Sequence, residues 1–148
     1  MANARRVVAW AIAAVFVSAA QANADHPIAG KWVNVEEKTG SITRLEVSEE
    51  AGGWVIHAWG SCAPTYCDWG AVPLHMAVGD PIARGKPLDV GKLEYGVAYW
   101  DHKDRDIRTF MALHVENGQL SVESVDVFGE RSGHTTNLRM KDLFKKAE

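Results

Sequence analysis

Between His57 and Gly70 the chain reads His-Ala-Trp-Gly-Ser-Cys-Ala-Pro-Thr-Tyr-Cys-Asp-Trp-Gly, which places both cysteines, two tryptophans, two glycines and a proline within fourteen residues. Three kinds of chemistry can be set against it. Ser61, His57 and Asp68 are the residue types of a hydroxyl nucleophile, its base and an orienting carboxylate, but no Gly-x-Ser-x-Gly elbow presents the serine. Four residues separate Cys62 from Cys67, unlike a Cys-x-x-Cys redox site, and no second pair completes a four-thiolate zinc site. Recognition is the third. Trp59, Tyr66 and Trp69, with His57 and Asp68, combine aromatic surface with a few polar groups, as a small apolar or planar ligand requires.

The other titratable residues add no convergent centre. His26, His57, His75, His102, His114 and His134 are scattered singly, and neither His-x-x-x-His nor His-Glu-x-x-His occurs. Asp101-His-Lys-Asp-Arg-Asp106 alternates carboxylates like a divalent-metal loop, yet it lacks the glycine and terminal glutamate of a calcium loop, and Lys103 and Arg105 offset its charge. It reads as a solvated hairpin turn. The residues imply no metal, no cofactor and no catalytic set.

The compartment is written at the start of the chain. Arg5 and Arg6 precede an apolar run from Val7 to Ala20, and Ala22-Asn23-Ala24 has the small-x-small form of a signal-peptidase site. Residues 1–24 are therefore expected to be a secretory signal and 25–148 a single domain that is periplasmic or secreted. No membrane span is expected after cleavage, because the apolar run is shorter than the roughly 20 residues a helix needs to cross a bilayer. In an oxidising compartment Cys62 and Cys67 should bond to each other. Removing Arg5 and Arg6 from 16 basic residues leaves 14 against 19 acidic ones, a net charge of −5 that argues against nucleic acid as a partner.

The elements that must position the candidate residues are strands. Short runs alternating apolar and polar residues, separated by Gly, Pro, Asp and Asn, cover Ile28 to Val35, Ser41 to Ser48, Gly53 to Trp59, Cys67 to Met76, Lys92 to Trp100, Ile107 to Val115, Gln119 to Phe128 and Thr135 to Lys141. Leu93, Tyr95, Val97 and Tyr99 form one apolar face, and Ile107, Thr109, Met111, Leu113 and Val115 another. Short connectors join antiparallel neighbours, except across Ala77 to Gly91, which reads as a long loop. Asp142 to Lys146 is expected to add at most one helical turn. Eight such strands lose their edges only by closing, so the fold class is all-β, an eight-stranded antiparallel up-and-down barrel.

Ile28-Ala-Gly-Lys-Trp-Val-Asn, at the head of the first strand, resembles the Gly-x-Trp opening of the calycin barrels, the lipocalin and avidin-like proteins. The resemblance implies that Trp32 closes one end of the barrel beneath a basic residue of the last strand, for which Arg139 is the candidate. Gly30-Lys-Trp32, Gly40-Ser-Ile-Thr-Arg-Leu45 and the His57 to Gly70 segment together are similar to small exported bacterial proteins of uncharacterised function. That likeness covers the first half of the domain and implies no reaction.

Beyond the expected signal the chain keeps five of its six tryptophans, Trp32, Trp54, Trp59, Trp69 and Trp100, which with Tyr66, Tyr95 and Tyr99 exceed what a minimal core needs. The reading that follows is an exported, non-enzymatic barrel binding a small apolar or planar ligand at a disulfide-stapled aromatic mouth. The expected ligand-binding residues are His57, Trp59, Tyr66, Asp68, Trp69, Tyr95 and Tyr99. The alternative is a barrel that binds or inhibits a secreted or envelope protein through its loops and its N-terminal segment, and a hydrolase-like enzyme stands third. An empty aromatic interior would favour the first, and a filled interior with exposed apolar surface near Tyr66 the second.

Overall fold

The computed structural model describes residues 26–62, 65–78 and 93–148. The expected signal at 1–24, and most of the long loop expected from Ala77 to Gly91, lie outside the described residues. Nine antiparallel strands form one sheet: β1 Gly30–Asn34, β2 Ile42–Glu50, β3 Gly53–Gly60, β4 Cys67–Pro73, β5 His75–Val78, β6 Leu93–His102, β7 Ile107–Glu116, β8 Gln119–Phe128 and β9 Leu138–Lys146. Their order across the sheet is β4-β3-β2-β1-β9-β8-β7-β6-β5. Among the described residues a short 3-10 turn at Glu130–Ser132 is the one helical element, and no helix is long and apolar enough to cross a membrane.

The sheet is a nearly closed barrel because its two ends are consecutive in the chain. The single run expected from Cys67 to Met76 is two strands: β4 pairs with β3, β5 pairs with β6, and Leu74 makes the transfer between them. Leu74 donates its N–H to the Trp54 carbonyl at 2.8 Å and is buried. Its side chain lies over Gly96, where an added Cβ would sit 2.8 Å from Leu74 Cδ1. Beyond that point β4 and β6 diverge, and the Trp100 indole N–H spans them to reach the Gly70 carbonyl at 3.2 Å. The ninth strand is thus the cost of turning one edge of the sheet onto the other.

Inside, Trp32, Ile42, Leu45, Val47, Ile56, Met111, Leu113, Leu120, Val122 and Phe144 make one continuous buried cluster. The β7 face was legible: Thr109, Met111 and Leu113 point inward. The β6 face is the reverse of the one expected. Gly96, Ala98 and Trp100 point inward, opposite Leu113, Met111 and Thr109, while Tyr95, Val97 and Tyr99 stand exposed on the outer wall. Bulk decides this at Gly96, where Leu74 and Leu113 already fill the interior and an added Cβ would meet them at 2.8 and 3.3 Å.

The last strand runs on through Lys146, with Phe144 buried, so 142–146 is strand and not a helical turn. Its inward Asp142 accepts hydrogen bonds from Asn34 Nδ2 (3.0 Å) and Ser41 Oγ (2.9 Å), which ties β1, β2 and β9 together. The basic residue over Trp32 is Lys146, whose Nζ lies 4.5 Å from the ring centroid and also donates to the Ala29 carbonyl. Arg139 instead faces outward and pairs with Glu123. The strand is longer than expected, so its basic end, not its beginning, reaches the Trp32 end of the barrel.

Gly30 makes this arrangement possible through its φ of +119°, with an added Cβ only 2.9 Å from Lys146 Nζ. The ammonium tip can move aside, but the backbone conformation cannot accommodate a branched residue. Gly30→Val should therefore lower unfolding stability by about 2 kcal/mol, measured by urea titration, whereas Gly40→Ala, with open space around it, should change little.

Candidate functional site

Two irregularities assemble the site on the outer wall of β2, β3 and β4. In β2 the register shifts between Ile42 and Arg44, and in β4 it shifts opposite Ala58 and Trp59, so that Trp59 faces both Arg44 and Asp68. Each shift inserts one residue, which reverses the side-chain alternation beyond it. The β4 bulge turns on Gly70, at φ +77°. Without it Asp68 would point inward and Trp69 outward; with it Asp68 reaches the outer wall and Trp69 folds into the barrel mouth.

On that wall His57 Nε2–H donates to Asp68 Oδ1 at 2.5 Å, and the same oxygen accepts the Gly70 N–H at 2.7 Å. The His57 ring lies almost parallel to Trp59, with centroids 3.8 Å apart. The Arg44 guanidinium carbon sits 4.4 Å from the Trp59 centroid and 5.7 Å from that of Tyr66, which is 63% exposed. Tyr66 belongs to the short loop closed by the Cys62–Cys67 disulfide, whose Cα atoms are 5.4 Å apart. The staple, the bulge and the stacked rings hold four functional groups in one orientation.

The expected site residues thus separate into three places. His57, Trp59, Tyr66 and Asp68 come together. Trp69 turns the other way, meeting Trp100 edge-on at 6.0 Å and His102 at 5.3 Å, and it fills the space over Gly60, where a Cβ would meet its indole at 2.6 Å. Tyr95 and Tyr99 lie on the outer wall of β6, beside His114 and Phe110. Ser61 donates its backbone N–H to Ser41 O, and its hydroxyl makes no hydrogen bond to His57, so the structure does not join these two residues as a nucleophile and base. Among the described residues no three His, Cys, Asp or Glu side chains converge to hold a metal ion.

Sequence reasoning missed Arg44. A signal existed in Ile42-Thr43-Arg44-Leu45, where two core residues stand three apart and break the strand period, which marks a bulge and an outward arginine.

The hydrogen bond from His57 holds the Asp68 carboxyl below its usual 3.8, helped by the Gly70 N–H and by the Arg44 charge, and opposed by partial desolvation. A lowered carboxylate pKa contributes stability that is present above the unfolded value and is lost as pH falls through the folded one. The difference in melting temperature between the protein and its Asp68→Asn variant should therefore shrink as pH falls below about 4. At His102 burial lowers the pKa, reinforced by Arg105.

Breaking the staple tests its structural share. Cys62→Ser with Cys67→Ser should cost about 2 kcal/mol in urea unfolding, the loop-closure entropy of so short a ring, while circular dichroism keeps the strand signal.

Comparison of the chain with protein-family models, with curated proteins and with solved structures finds no match.

Proposed function

We propose that this chain is a binding protein that captures another protein on the outer wall of its barrel, at the cluster of Arg44, His57, Trp59, Tyr66 and Asp68. The observation carrying this reading is a preordered Arg–Trp–Tyr group on the surface of a barrel whose interior is occupied by its own side chains. Those three residue types dominate the energy of protein interfaces because each offers large contact area with a directional polar group. Stacking and the staple settle the ordering cost before a partner arrives. The expected N-terminal signal and the Gly-x-Trp resemblance to calycin barrels support a partner among secreted or envelope proteins. The Lys146–Trp32 contact supports that likeness.

A small-ligand reading retains one observation. Ser124 Oγ is buried in the interior with no hydrogen-bond partner among the described residues, and a polar atom of a guest would satisfy it.

A photoreactive amino acid at position 66, in protein expressed in its source cells, tests the two. The expected outcome is one cross-linked protein adduct that disappears in Trp59→Ala and is absent when the probe stands at exposed Glu116. A species of a few hundred daltons retained in native mass spectrometry, unaffected by Trp59→Ala and with no adduct at position 66, would favour the interior instead.

A further inference from the structure

Within the cluster the Arg44 guanidinium keeps its hydrogen-bonding capacity, as do the Tyr66 hydroxyl and Asp68 Oδ2. Asp68 Oδ1 is taken by His57 and Gly70, and Glu46, the next outward residue of β2, lies 4.0 Å from Lys31. No carboxylate or carbonyl among the described residues accepts from the Arg44 guanidinium, although its position over Trp59 and Tyr66 is defined. A guanidinium stacked on an aromatic ring uses its face, while its N–H donors lie in its plane and point away from the ring. In-plane donors in that fixed fork match the two oxygens of a carboxylate.

We infer that Arg44 is a carboxylate-binding residue, and that the group it takes is the acidic side chain or terminal carboxylate of a partner, joined to an apolar or aromatic neighbour that lies along Tyr66. The inference rests on the proposed outer-wall recognition surface and specifies what that surface reads. Tyr66, exposed and held by the Cys62–Cys67 loop, supplies the apolar contact next to the fork. Lysine would not replace the arginine, because an ammonium offers neither the planar stack nor the paired donors.

The minimal probe is N-acetyl-L-phenylalanine, which has one carboxylate and one ring, compared with its uncharged amide and with inorganic phosphate. Binding is followed by NMR on the Arg44 Nε–H and Trp59 indole resonances of the disulfide-bonded protein. The free acid should shift both resonances saturably with a dissociation constant on the order of millimolar, and the amide should bind at least about tenfold more weakly. Arg44→Lys should lose about tenfold while its melting temperature stays within a degree or two of the parent, since the side chain is exposed. Equal binding of the amide, equal binding by Arg44→Lys, or no shift at these two resonances would overturn the inference. Phosphate binding as tightly as the acid would overturn the carboxylate assignment in favour of a phosphate site. A cross-linked partner at position 66 without acid binding removes this inference alone. Acid binding without any partner removes the protein-capture reading and leaves a carboxylate ligand.

Discussion

Closure of the sheet on itself is the constraint from which the other features follow. An open sheet of this many antiparallel strands would leave two edges ready to pair with other chains. Here one chain run supplies both edges, pairing with β3 before Leu74 and with β6 after it. The transfer opens a seam between β4 and β6, and side chains close it: Leu74 over Gly96, and Trp100 reaching Gly70. Gly96 and Ala98 must then face inward, which sends Tyr95, Val97 and Tyr99 outward.

The candidate site sits beside that seam for a related reason. At Gly70 the N–H is taken by the Asp68 side chain and the carbonyl by Trp100, so a bulge that blunts the β4 edge also aims Asp68 at His57. Edge protection and site construction use the same residues. The disulfide closes the β3–β4 connection and holds Tyr66 within it, so the loop leading into the β4 strand beside the seam is the stapled one.

The opposite end shows how a short motif is read through its surroundings. Gly30 and Trp32 do little alone. Trp32 is secured by its indole N–H on the Ile28 carbonyl at 2.9 Å and by Lys146 above its ring, while Gly30 supplies the backbone conformation that leads into β1 beneath that lysine. The contact joins the first strand to the last, which are also paired as neighbours in the ladder.

The sequence by itself determined the strand class, the antiparallel order, the pairing of Cys62 with Cys67 and the inward face of β7, because alternation and short connectors are local properties. It also singled out His57, Trp59, Tyr66 and Asp68 by their density in one segment. Tertiary structure alone decided the face of β6, the division of one expected strand at Leu74, Lys146 as Trp32's partner in place of Arg139, and the separation of Trp69 from its neighbours. Each depends on a bulge, a register or a space filled from elsewhere in the chain. A single inserted residue reverses every side chain beyond it, and whether it is inserted depends on what the facing strand has already buried.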